Sequence, residues 1–191
     1  MRIQVITPNA GVVLVLASVK AFLKVEIATD DAVIQAMCYA AEKQCEKYIR
    51  RYLLPTVLGL WFDLGRLSED LHPDGCIYTP GGKLITVDEI ATYNSAGEET
   101  VASSSDYLVD SVSEQEGRVR FLTSLDGMRE INSLKIKCTV GYATVASVPK
   151  NLIHGMCMLV SHWYYNREAY EKGVVPRTIR NLWQSERIMG L

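Results

Sequence analysis

Few residues of this chain are spaced for catalysis. His154 and His162 stand eight positions apart in an apolar stretch, so on a helix they leave roughly the same side two turns distant. A metal-binding pair on a helix is spaced three or four. Two edge histidines of a packed helix is the plain reading; a metal-assisted hydrolase using both with acidic loop residues is the rival. Cys38 and Cys45, seven apart, suit a helix core. The five cysteines, completed by Cys76, Cys138 and Cys157, contain no Cys-x-x-Cys pair and are odd in number. That argues against a zinc cluster and a disulfide framework, and reduced thiols are expected. Ser103-Ser104-Ser105 has no nearby base, and no nucleophile elbow, phosphate loop, dinucleotide fingerprint or zinc-protease motif occurs. No catalytic residue, cofactor or metal is expected.

Other residues are better suited to contact than to chemistry. His162-Trp163-Tyr164-Tyr165-Asn166-Arg167-Glu168 sets three aromatics in a row. Three consecutive helical positions span about 200° of the helix surface, so at least one ring faces another element or another subunit. Trp, Tyr and Arg are the types enriched at interface hot spots. Trp163, Tyr164, Tyr165, Arg167 and Glu168 are therefore interface candidates, with core packing as the alternative. A second candidate is the segment from Val174 to Leu191, set off by Gly173 and Pro176. Its short helix carries an apolar stripe of Ile179, Leu182 and Trp183 flanked by Arg177, Arg180 and Arg187. Either the stripe docks on a partner, engaging Pro176, Arg177, Arg180, Trp183 and Arg187, or it folds back on the chain's own helices.

Charge is unevenly spread. Residues 63–116 hold twelve acids and two bases, a net of −10 in a chain whose total is −2. None has the spacing of a calcium loop. These acids are either solvated or form a field, with Asp88, Glu89, Glu98 and Glu99 foremost, that repels DNA phosphates from a channel or meets a basic neighbour. Lys150, Arg167, Arg177, Arg180 and Arg187 raise the alternative of a small nucleic-acid binder, weakened by interspersed glutamates.

The elements that must position these residues follow from periodicity. With 191 residues, 48% hydrophobic and 22% charged, the chain reads as one globular domain. The apolar run from Ala10 to Val19 is half of the roughly twenty residues a membrane span needs, and no signal peptide is expected. The predicted class is α+β: a small helical bundle with an inserted antiparallel β module. A short helix is expected near 18–24, with Ala17, Ala21 and Phe22 on one face. Thr29-Asp30-Asp31 should cap a long helix over 30–53, with Glu42, Lys43, Glu46, Lys47 and Arg50 on its outer side. The β insertion spans 56–142, residues 65–75 forming a polar loop and Tyr78 to Gly82 a turn. The apolar phase slips at Asp88-Glu89, which marks a bulge. A helix over 149–171, apolar round most of its surface, and a short one to Arg187 complete a helical core from 17–54 and 147–187.

In this order the pieces resemble the head–tail connector (adaptor, or head-completion) proteins of long-tailed bacteriophages and prophages. The resemblance rests on Val5-Ile6-Thr7-Pro8, Val19 to Val25, Asp30-Asp31-x-x-Ile34 with Ala40-Ala41 and Tyr48, and Ile85 to Ile90 with Tyr93 and Gly97. It continues through Tyr107 to Asp110, Gly141-Tyr142, Val148-Pro149, the Trp163 to Glu168 ending and Val175-Pro176. Leu125-Asp126-Gly127-Met128 departs from the Trp-Pro pair of many relatives. The resemblance implies a structural virion protein. It would form a homo-oligomeric ring of about twelve copies at the virion neck, assembled in the host cytoplasm. Its partners would be the portal protein and a stopper or tail-completion protein. DNA would pass through the channel without sequence-specific binding, and no membrane would be involved.

Overall fold

The computed structural model describes residues 1–123, 127–166 and 175–189. Along the chain run β1 (Arg2–Thr7), α1 (Leu16–Leu23), α2 (Asp31–Ile49), β2 (Thr56–Phe62), α3 (Leu64–Asp70), β3 (Cys76–Thr79) and β4 (Leu84–Tyr93). Then follow β5 (Glu99–Val101), β6 (Tyr107–Asp110), β7 (Gly117–Phe121), β8 (Leu134–Val140), α4 (Lys150–Tyr165) and α5 (Arg177–Gln184). The class is α+β. The chain forms two compact units, a helical one of residues 10–53 and 144–191 and a β one of residues 1–9 and 54–143. No helix among the described residues is long and apolar enough to cross a membrane.

In the helical unit, Ile34, Cys38, Ala41, Cys45 and Ile49 recur at three and four residue steps along α2 and are buried. They meet Leu152, Met156, Leu159 and Val160 of α4 and Ile179 and Trp183 of α5, all buried too. Three expectations are corrected here. α2 stops at Ile49 because Arg50 turns left-handed, at φ 58°. Asp30 does not cap it: its side chain makes no cap bond and instead accepts from Tyr164 at 2.5 Å. On α1 the core face is Val19 and Leu23, while Ala17, Ala21 and Phe22 face outwards.

Glu42, expected on the outer side, is buried. Its Oε1 accepts the backbone N–H groups of Val13 and Leu14 at 2.8 and 2.7 Å. One turn on, Glu46 accepts the N–H of Leu53 at 3.0 Å. The two carboxylates satisfy donors in irregular chain on either side of α1 and α2, which would otherwise lack partners.

In the β unit a five-stranded antiparallel sheet has the order β1-β2-β8-β4-β5, and a three-stranded one the order β3-β7-β6. One face of the larger sheet (Leu58, Leu60, Phe62, Leu84, Ile90, Ile136, Cys138) is buried. The bulge is where the sequence places it, the β4–β8 register shifting between Val87 and Glu89. The sheets approach closely where Gly117 of β7 meets Leu84 of β4: a Cβ there would lie 2.2 Å from that of Leu84. Two segments differ from expectation. Within the predicted polar loop, Leu64–Asp70 is a helix that buries Leu67, and Cys76–Thr79, half of it read as a turn, is a strand paired to β7.

Candidate functional site

The aromatic run ends α4, and its three rings diverge as helix geometry requires. Trp163, half-buried, borders a groove along α2. Tyr164 donates to Asp30, and Tyr165 donates to the carbonyl of Leu23 at 2.7 Å. The two tyrosine rings meet edge to face at 5.2 Å. Both hydroxyls thus fasten α4 to the chain before α2 and to the end of α1, within one unit. Tyr165 still shows 64% of its surface. Arg167 and Glu168 lie outside the described residues.

The C-terminal stripe packs on the chain's own helices, the second of the two readings the sequence offers, and not as a detachable arm. Trp183 has no exposed surface. Its indole Nε1 donates to the carbonyl of Leu152 at 3.3 Å, and the ring fills the notch left by Gly155, where a Cβ would come within 2.4 Å of Nε1. Around it Asn151 donates to the carbonyl of Leu182 at 3.0 Å, and Tyr48 donates to Gln184 at 2.8 Å. Ile188 N–H donates to the carbonyl of Ile49 at 3.0 Å, and the buried Arg51 pairs with Glu186 at 3.5 Å. Arg187 lies over the Tyr48 ring at 5.2 Å. Pro176 sits at the N-cap of α5, and Arg177 and Arg180 remain on the surface. Gly173, read as the break before this segment, lies outside the described residues, as do Leu125 and Asp126.

The four named acids are all tied locally. Asp88 accepts from Thr86 at 2.7 Å and Thr139 at 3.0 Å; Glu89 pairs with Lys135 at 2.8 Å. Glu98 accepts from Asn94 at 2.8 Å and Glu99 from Tyr93 at 2.7 Å. The bond from Lys135 holds the Glu89 carboxyl below its usual range. Arg118 likewise pairs with Asp110 at 2.9 Å and Asp74 at 3.5 Å. The acid-rich stretch therefore recruits bases from residues that follow it. The β unit as a whole still holds 14 acids against 8 bases, and the helical unit 12 bases against 8 acids.

Sequence reasoning did not single out a cluster on the outer face of the large sheet. Trp61 stacks on Tyr93 at 6.0 Å, with Lys135 5.7 Å from the Trp61 ring and Arg129 4.4 Å from the Tyr93 ring. Its members come from three strands and a loop, segments that only the folded sheet brings together.

His154 packs against Phe22 at 5.9 Å, and His162 lies beside Asn166. Among the described residues no three His, Cys, Asp or Glu side chains gather where a metal could sit. All five cysteines are free and buried. Burial pushes the thiols of Cys38 and Cys138 up to about 11 and about 12, so they are poor nucleophiles and ligands.

No protein-family model matches the chain, and neither does any curated protein. Solved structures do match. The chain is similar to one in the virion of a native gene transfer agent particle, with TM-score 0.75. It is also similar to chains of the neck of an empty such particle computed with C6 symmetry, TM-score 0.72, and of the native neck computed with C12 symmetry, TM-score 0.70. In each case identity is 18%, and the match covers 100% of this chain and 97% of the other. At that identity the likeness is one of fold. Over its whole length, then, this chain shares the fold of chains of gene transfer agent particles and their necks, in keeping with its resemblance to head–tail connector proteins.

Proposed function

We propose that this chain is a structural neck protein of a phage-like particle. Copies form a ring of about twelve between the portal and the stopper or tail, lengthen the DNA channel and join head to tail. The observation that carries this reading is the fold shared end to end with chains of particle necks, one of them computed with C12 symmetry. The acid excess of the β unit suits a surface past which DNA moves without sticking.

The test is electron microscopy of the purified chain, alone and mixed with the portal of its particle. Rings of about twelve seated on the portal are expected. A particle reconstruction that places the chain anywhere but the capsid–tail junction would overturn the reading.

A further inference from the structure

The amino-terminal half of α2 has an apolar face that the described residues of its own unit leave uncovered. No charged residue lies between Asp31 and Glu42. Ile34, Cys38 and Ala41 fill the buried side. On the opposite side Ala32, Ala36 and Ala40 come up in successive turns, and with Val33, Met37 and Trp163 they line an open groove of about 650 Å³. Val33 is 43% exposed. Beyond Glu42 the outer side changes character, to exposed Lys43, Lys47 and Arg50. A helix apolar on opposite faces is one that is covered on both. A row of alanines also lets a second helix come close, since the side chains at a contact set the distance between axes.

A second apolar patch, convex rather than concave, lies on α1. Val15, Phe22 and the nearby Ile27 are all exposed, Phe22 by 42%. Phe22 leans on His154 of α4. His154 and Trp163 are nine positions apart, about two and a half turns, so they leave α4 on opposite sides. The groove and the knob therefore flank one helix on opposite sides. An isologous dimer uses one patch twice. A ring is closed by a heterologous contact, which needs two different patches that fit each other.

We infer that the α2–Trp163 groove receives the α1 face of the next copy, with Phe22 as the inserted side chain. This rests on the ring reading above and names the surfaces that would close the ring.

The test uses the full chain. Ala36→Cys and Phe22→Cys are made as separate variants and treated with a short bismaleimide, each alone and mixed, with the portal and without. The five native thiols are buried and stay silent. A covalent dimer in the mixture, absent from either variant alone, is expected. In parallel, Ala36→Trp, which fills the groove from an exposed position, should cut ring yield at least tenfold, with circular dichroism and melting unchanged. Rings that form in full with Ala36→Trp, or a cross-link that appears with Ala36→Cys alone, would overturn the groove assignment and leave the ring standing. A wild-type chain that forms no ring in either condition would overturn both.

Discussion

The two units hold themselves together by different means. The helical unit depends on a few deep contacts: one indole in a glycine notch, and one buried carboxylate holding two backbone donors. The β unit rests on the buried face of its larger sheet, Phe62, Ile90 and Ile136 among it, and adds strand register and half-exposed pairs such as Lys135–Glu89 and Arg118–Asp110. Large buried groups concentrate free energy, and surface pairs each add little. Damage should therefore be steep at the buried groups of either unit and shallow at the surface pairs of the second.

The largest effect is expected from Trp183→Ala, a loss of about 3–5 kcal/mol. Chemical denaturation measures it, and hydrogen exchange should show the opening confined to α2, α4 and α5. A loss below about 1 kcal/mol would mean that α5 is an appendage after all. Gly117→Ala should cost the β unit about 1–3 kcal/mol, because Leu84 and the β7 backbone must part. An effect that large from one methyl group would show that the contact between the two sheets is filled as tightly as the glycine notch of the helical unit.

Acid should separate the units by sign. Burial pushes Glu42 above its usual value near 4.5, outweighing the two N–H groups that pull it down. Its contribution to stability is therefore full below that value and declines as pH rises through the raised one. In the β unit the Asn132 N–H and Arg2 hold Asp63 low, Lys135 holds Glu89 low, and the Val112 N–H and Arg118 hold Asp110 low. Those contributions are present above the usual values of 3.8 to 4.5 and vanish as pH falls through the lowered ones. Hydrogen exchange across acid pH should show β-unit protection fading first, and Glu42→Gln should flatten only the helical unit's response. The smallest effect belongs to Lys135→Ala, about 0.2–1 kcal/mol, screened by salt.

What could be read in the sequence was what repeats locally. Periodicity marked α2 and the buried side of α4, and a phase slip of one residue located the bulge at Asp88-Glu89. α3 escaped because seven residues give too little period to see, and β3 because four residues followed by Pro80 look like the turn beside them. Pairings between distant residues were out of reach. Nothing near Trp183 announces that Gly155 keeps a place for it, and nothing near Glu42 announces that Val13 and Leu14 need an acceptor. The same limit applied to the candidate surfaces. The sequence picked out the aromatic run, yet only the fold revealed that Tyr164 and Tyr165 bond to Asp30 and Leu23 while Trp163 borders the alanine groove.

The interleaving of the units has a consequence for the chain as it is being made. α2 is translated early, but Trp183, which helps bury it, comes 134 positions after Ile49. At roughly 5–20 residues per second, synthesis of that interval takes about 7–27 s. For most of it the nascent chain displays an amphipathic helix that only α1 can cover, α4 not being complete until Tyr165, while the β unit is built in the meantime. Such a protein places a demand on chaperones that shield helices emerging from the ribosome. Its yield in a host should respond to translation speed between residues 54 and 183 more than to any change in the stability of the finished fold.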